Sequence, residues 1–174
     1  MAEGTDQILN LAAERRREDQ VVDVDLTQAL VVVFELEGGG GFYGVPAQAV
    51  ESIVAIQEIT YIPGTPSWIP GVVNVRGEIE SVLDLKAVLG LARAELTPDS
   101  RLLIAQEGDL RSGLLVDRMI DIVEVSTSSI SPPPSPLEGG KGIYIQGEAK
   151  YGGRSLLMLD LGQVFHRALE GERV

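Results

Sequence analysis

Apolar residues recur along this chain in short runs, mostly at alternate positions, and glycine or proline ends each run. That pattern predicts strands and turns rather than long helices. The clearest case is 71–85, GVVNVRGEIESVLDL. The β-branched run Val72, Val73, Val75 meets a polar turn at Arg76-Gly77, and a second run leaves the turn from Ile79 to Leu85. Glycine supplies the backbone angles of a tight turn, so the stretch predicts a hairpin. Alternation places Val73, Val75, Ile79, Leu83 and Leu85 toward a core and Asn74, Arg76, Glu78, Glu80 and Asp84 outward. Ser81 and Val82 interrupt the alternation, so the second strand is either covered on both faces or bulged.

Upstream, residues 5–19 (TDQILNLAAERRRED) carry Ile8, Leu11 and Ala12 at helical spacing behind Thr5, a residue suited to an N-cap. They predict a helical or flexible arm, solvated or docked, followed by a linker over 20–29. A strand is predicted at 30–37, then a glycine-rich loop and a returning strand at Phe42 to Val45. Val50, Ile53 and Val54 fit either one helical face or, after a single turn at 46–49, a strand over 51–56; the β context favours the strand. Residues 57–70 hold Pro63, Pro66 and Pro70 and predict a loop anchored by Trp68. A short helical turn is predicted over 84–90 and a polar junction over 91–100. Strands are predicted at 101–107, around 112–125, at 143–149 and at 154–160. SPPPSP at 131–136 predicts a stiff loop outside any sheet. A closing helix over 162–170 presents Val164, Phe165, Ala168 and Leu169 on its apolar side.

The chain also repeats itself. Gly71, Gly77, Asp84, Leu85 and Val88 correspond, at an offset of 76, to Gly147, Gly153, Asp160, Leu161 and Val164. Gly44, Val45, Val50, Ile53 and Val54 correspond, at an offset of 69, to Gly113, Leu114, Met119, Ile122 and Val123. Two similar β units follow, read as small barrels that close their own sheet edges. The second copy carries Lys150 and Gly152 where the first has Asn74 and Arg76. The shared fold therefore needs the glycine of the turn but not an arginine before it. Arg76 is left with two explanations: an ion pair to Glu78 or Glu80, or a role in binding.

Composition narrows the function. The chain has 174 residues, enough for one domain or two small halves, and a net charge of -12, which argues against nucleic acid or anionic lipid as partners. No apolar run approaches the ~18 residues of a membrane span. No signal peptide is visible, so a cytoplasmic location without membrane insertion is expected. Cysteine is absent, which excludes disulfides and thiol chemistry. The one histidine, His166, cannot form a multi-histidine metal site, and no nucleophile with a base is apparent. Asp117 and Asp121 read as an outer strand face rather than an acid/base pair. Gly39, Gly41 and Gly44 match GxGxxG, which raises a nucleotide-binding enzyme using GGGGFYG as the alternative, with Glu58 at a plausible distance for a ribose contact. That motif requires a strand–helix–strand unit, and a returning strand fits better here. No catalytic residue, cofactor or metal is expected, and the residues read as an acidic, β-rich interaction module.

Taken together the motifs resemble the CheW family. They are Tyr43-Gly44-Val45-Pro46, Val50 with Ile53, Ile62-Pro63, 71–77 with its Asn-x-Arg-Gly, Val82-Leu83-Asp84-Leu85, Gly113 to Asp117, and Gly153-Arg154 to Leu161. They run in the family's order over about 30–170. The resemblance implies a mainly β fold of two SH3-like five-stranded barrels, here over 30–97 and 98–174, with a short C-terminal helix and an N-terminal arm over 1–29. It implies a non-catalytic scaffold without cofactor that couples chemoreceptors to a CheA-type histidine kinase and is recruited to membrane-associated receptor arrays. Its partners would be the kinase's regulatory domain, itself CheW-like, and the helical tip of the receptor lying in a groove. On this resemblance Val50, Ile53 and Val54 supply apolar contact. Arg76 donates to a receptor carboxylate or carbonyl, and Asn74 beside Gly77 holds the turn or adds a bond. The chain departs from the pattern at Ser52, where the family often has an acid, and at Glu80-Ser81, where it often has an apolar residue and proline.

Overall fold

A computed structural model describes residues 27–36, 41–56, 58–93, 95–134 and 138–170. The chain forms β1 (Gln28–Glu35), β2 (Phe42–Pro46), a single 3-10 turn (Ala47–Ala49), β3 (Val50–Ala55), β4 (Thr60–Tyr61), β5 (Gly71–Val75) and β6 (Glu78–Asp84). Next come α1 (Leu85–Val88), β7 (Arg101–Glu107), β8 (Leu110–Val116), β9 (Arg118–Ser126), β10 (Ile145–Tyr151), β11 (Arg154–Leu159) and α2 (Leu161–Glu170). The arm over 5–19 lies outside the described residues. The expected linker ends earlier than 29, because Gln28 and Ala29 already pair with Ser126 and Val125.

The strands make a five-stranded sheet, β10-β11-β2-β1-β9, and a six-stranded sheet, β3-β7-β8-β6-β5-β4. Both are curled. Alternation along each strand explains how they pack. Val32, Phe34, Tyr43 and Val45 of one sheet meet Leu83, Leu103, Leu114 and Val116 of the other in a shared core, which both helices seal with Leu85, Val88, Val164 and Phe165. The opposite faces curl around private clusters: Val31, Val33, Phe42, Leu156 and Met158 in the five-stranded sheet, and Val73, Val82, Leu102 and Ile104 in the six-stranded one.

The internal repeat is visible in the strand order. Replacing β10, β11, β2, β1 and β9 by β5, β6, β8, β7 and β3 turns the first sheet into the second, without β4. Each sheet therefore draws strands from both sides of residue 97. The correspondence reaches single residues. Met158 lies opposite Gly44 in a parallel pairing, as Val82 lies opposite Gly113. A Cβ on Gly44 would come within 2.6 Å of Val31, and one on Gly113 within 2.6 Å of Leu102, so only glycine lets these strands approach. The register shift between Val33 and Phe34, opposite Asp121 and Met119, matches the one opposite Ser52 and Val50, at Ile104 and Ala105. Asp84 N–H donates to the Trp68 carbonyl and Asp160 N–H to the Tyr144 carbonyl, both at 2.8 Å. Asp84 Oδ1 then caps α1 by accepting from Lys86 and Ala87 N–H, and Asp160 Oδ1 accepts from Gln163 N–H.

Two readings the sequence favoured, the returning strand at Phe42 and a strand rather than a helix through Val50, Ile53 and Val54, are present in the structure. β2 pairs antiparallel with β1, so among the described residues the strands flanking the glycines form a hairpin rather than the strand–helix–strand unit of a dinucleotide site. Several other details differ. The strand expected around 112–125 is two, broken at Asp117, whose carboxylate meets buried Lys86 at 2.7 Å. Ser131, expected outside any sheet, exchanges two backbone hydrogen bonds with Glu148, and Pro132, Pro133 and Pro134 do not pair. The loop over 57–70 contributes β4, which pairs with Gly71 and Val72. Leu169, expected on the buried side of the closing helix, is 41 % exposed.

The largest difference falls in the central hairpin. Its loop has two residues, so Val75 lies opposite Glu78, Asn74 opposite Ile79 and Val73 opposite Glu80. Cross-strand partners share a face, so inward positions that are odd in β5 become even in β6. Ile79 is accordingly 66 % exposed, while Glu80 is 4 % and Asp84 8 % exposed. Val82 and Leu83 are both buried because β6 is covered on both faces, one of the two alternatives its sequence allowed.

Candidate functional site

The β5–β6 tip is a mirror-image turn. Arg76 has φ 54° and Gly77 φ 90°, the left-handed angles that a two-residue hairpin loop matched to strand twist requires. Arg76 is the one non-glycine residue with positive φ among the described residues. Asn74 Oδ1 accepts from Gly77 N–H at 2.8 Å and so fastens the turn from inside the loop.

The Arg76 side chain is exposed, and among the described residues it has no hydrogen-bond or ion-pair partner. The glutamates that could have paired with it belong to Arg111. That guanidinium, on β8, meets Glu51 at 2.9 Å, Glu78 at 3.7 Å and, more closely, buried Glu80. The Glu51 hydrogen bond chiefly holds Arg111 above its ordinary pKa; desolvation opposes it, and the charges of Glu80 and Glu51 add to the rise. Arg111 thus answers why Glu80 can be buried, and it leaves Arg76 unused by the fold.

Beside Arg76 lies a cleft of about 240 Å³ between β3 and β5, lined by Val54, Ala55 and Ile56 on one side and Val73, Asn74, Val75 and Arg76 on the other, with Leu102 and Glu58 completing it. Three of the six expected site residues, Val54, Asn74 and Arg76, therefore meet. Gly77 sits at the exposed tip with open space where a Cβ would be. Val50 and Ile53 do not join them; they pack half-buried against the shared core. The reason is strand alternation together with the register shift beside Val50: Ile53 and its neighbour Val54 point to opposite faces. The residues missed were Ile56, Val73, Val75 and Leu102. Reading every second residue from Val54 and from Val73 finds all but Leu102, which comes from β7.

A larger cleft, about 500 Å³, lies between the loop before β5 and α2 and includes Ile62, Val72, Ser81, Leu110 and Leu169, with none of the expected site residues. Chemically, the β3–β5 cleft offers an apolar slot and a planar cation with unengaged N–H donors, suited to an apolar side chain next to a carboxylate. His166 is on the surface of α2, 3.9 Å from Glu170. No group of three or more histidine, cysteine, aspartate or glutamate side chains is placed to hold a metal ion among the described residues. Nor is any described helix long and apolar enough to cross a membrane.

Two curled sheets of one topology and a cleft beside Arg76 define a β-rich two-sheet module. The CheW-like domain family matches residues 30–169, and the chain belongs to that family. It is 30% identical over 142 residues to the chemotaxis protein CheW of Treponema pallidum, covering 79% of this chain and 82% of that one. It is 30% identical over 137 residues to the chemotaxis protein CheW of Bacillus subtilis, covering 79% and 86%. The crystal structure of the scaffolding protein TtCheW from Thermoanaerobacter tengcongensis superposes with a TM-score of 0.70 at 32% identity, covering 79% of this chain and 92% of that one.

Proposed function

We propose that this protein is a non-catalytic scaffold that couples chemoreceptors to a CheA-type histidine kinase in a cytoplasmic chemosensory array at the membrane. The observation that carries the reading is the CheW-like match over 30–169, which spans both sheets and the cleft. Arg76 supports it locally: it is exposed, held at a costly backbone angle and unpaired by Glu78 or Glu80. In this reading Arg76 donates to a carboxylate or carbonyl of the partner, Asn74 keeps the tip rigid, and Val54 supplies apolar contact. The partners are the kinase's regulatory domain and the receptor's cytoplasmic tip. The test is a pulldown with each, comparing wild type with Arg76→Ala. Wild type binds, and Arg76→Ala weakens at least one complex by about tenfold, as losing a hydrogen bond to a charged group does. Failure of the wild type to bind either partner overturns the coupling role. Normal binding by Arg76→Ala overturns only the site.

A further inference from the structure

The two sheets share a topology but not a seam. In the five-stranded sheet the edge strands β9 and β10 are tied together where Tyr151 Oη donates to Asp121 Oδ2 at 3.0 Å. The internal repeat puts Ser52 at the place of Asp121 and Val75 at the place of Tyr151. The strand pairings support both equivalences: Ser52 lies opposite Ile104 as Asp121 lies opposite Val33, and Val75 and Tyr151 each directly precede a turn. Serine and valine cannot make that bond, and the β3–β5 cleft opens beside Val75. A short strap covers the far end of each seam, Thr60–Tyr61 against Gly71 and Val72, and Ser131 against Glu148. It leaves residues 73–75 with β6 as their only described strand partner. β3 likewise pairs only with β7 among the described strands. Exposed strand edges invite pairing and are usually blunted by charge or proline. β9 has Arg118, Asp121 and Glu124; β3 has Glu51 alone, and Arg111 occupies it.

We propose that the open seam of the six-stranded sheet is a strand-addition site: an extended partner segment pairs with the free edge of β3, lays an apolar side chain over Val54, Val73 and Leu102, and offers a carboxylate to Arg76. The slot has the volume for one or two apolar side chains, and Arg76 is a cation without a partner among the described residues of a chain of net charge -12. Glu58 on the same rim disfavours a second acid in the segment, so one carboxylate is specified. Main-chain pairing would supply affinity, and the slot and Arg76 the selectivity. The inference rests on the coupling reading for the identity of its partner, and of the two named there the occupant is a strand of the kinase's CheW-like regulatory domain, since the receptor's tip is helical; the chemistry of the site does not depend on that reading.

The test separates the two. Isotope-labelled protein is titrated with the peptide acetyl-TVEVT-amide up to ~1 mM, the weak end of measurable affinity, and amide shifts are followed. Shifts are expected along β3 and at 73–76. Binding is expected to fall about tenfold for Arg76→Ala, and for the peptide with glutamine in place of glutamate. The double variant Ser52→Asp with Val75→Tyr transplants the closing bond and should abolish binding. Asp121→Ser with Tyr151→Val, which opens the other seam, should leave it unchanged. An N-methylated peptide, unable to donate along one edge, should not bind, which keeps the test sharp if the transplanted variant does not fold. Absence of shifts on β3, or undiminished binding by the seam-closed variant or the N-methylated peptide, overturns the inference. The same variants in the pulldown then discriminate: kinase and receptor bound normally by the seam-closed variant leaves coupling standing and removes the seam, whereas peptide binding without either partner does the reverse.

Discussion

At the tip of the β5–β6 hairpin the chain bends through Arg76 and Gly77, at φ 54° and 90°; at the tip of β10–β11 it bends through Gly152 and Gly153, at φ 55° and 76°. The backbone demand is the same. Glycine meets it freely, and a residue with a Cβ meets it at about 1–2 kcal/mol. The fold thus has a cheaper solution and uses it once. Where it does not, the side chain carrying the strain has no partner in its own chain among the described residues, because Arg111 engages the nearby glutamates. Strain without a local return fits the partner contact proposed for Arg76. The second hairpin, by contrast, satisfies itself: Lys150 meets Glu148 at 3.1 Å, and Arg154 stacks 4.3 Å over Phe42.

The sharpest break in this likeness should appear at Gly71 in β5 and its equivalent Gly147 in β10. A Cβ on Gly71 would lie 2.0 Å from the carbonyl oxygen of Thr60, which is backbone and cannot yield without detaching β4. A Cβ on Gly147 would first meet the Ile130 side chain at 2.5 Å, which can turn aside. Gly71→Ala is expected to lose about 3 kcal/mol and Gly147→Ala about 1 kcal/mol, the two ends of the usual overpacking range. Denaturant unfolding of both variants measures it, and equal losses would mean the two straps are interchangeable.

The helix caps come next. The Asp84 carboxylate is buried, accepts two backbone N–H bonds and lies 3.4 Å from Arg93. Asp160 accepts one such bond, at 3.1 Å. Asp84→Ala should lower stability by about 2 kcal/mol and Asp160→Ala by about 1 kcal/mol, within the span measured for N-cap losses. Reversed order in thermal or denaturant melts would show that the longer α2 depends on its cap more than its partner does.

The equivalence of Asp84 and Asp160 was readable from the chain alone, since Asp-Leu recurs at the same offset after each hairpin; their capping bonds were not, and Asp84 was expected to face outward. Also readable were the hairpin, the returning strand at Phe42 and the glycine at each turn, because strand alternation and turn chemistry are local. The faces of β6 were not. They depend on whether the loop holds two residues or three, and one residue of difference inverts every side chain beyond it. Glu80 looked like an exposed acid because its partner, Arg111, is far away in sequence and reaches it only through the parallel pairing of β6 with β8. The cleft was half legible for the same reason: Val54, Asn74 and Arg76 belong to local patterns, while Leu102 arrives by tertiary packing and Val50 and Ile53 are drawn to the shared core.

Exchanging the two tips gives a smaller effect on stability and a larger one on binding. Arg76→Gly relieves the left-handed strain but adds the unfolded-state freedom of glycine, so stability should stay within about 1 kcal/mol of wild type. Gly152→Arg imports the strain and should lose about 1 kcal/mol. In the partner pulldown Arg76→Gly should fail as Arg76→Ala does, and Gly152→Arg should behave as wild type. Destabilisation by Arg76→Gly well beyond that range would return Arg76 to a structural role and dissolve the contrast.

The smallest effect lies in the electrostatics of the self-satisfied hairpin. The Glu148 carboxylate accepts from the Ser155 hydroxyl and from Lys150 Nζ, and these, the serine bond first, hold its pKa below the ordinary glutamate range. A pKa lowered in the folded state means stability that is present above the unfolded value and lost as pH falls through the folded one. Because the group is solvent-screened, the consequence for unfolding is slight and the direct titration is the better measurement. Ser155→Ala should move the Glu148 side-chain resonance to a higher midpoint in a pH series, and Lys150→Met should move it less. The equivalent of Glu148 in the first hairpin is Val72, so Asn74→Lys would place a lysine there with no carboxylate across from it and would remove the bond to Gly77 N–H. A rise in stability for Asn74→Lys would show that the first tip is held by something other than its asparagine; a small loss is expected, since one exposed neutral hydrogen bond contributes about 1 kcal/mol or less.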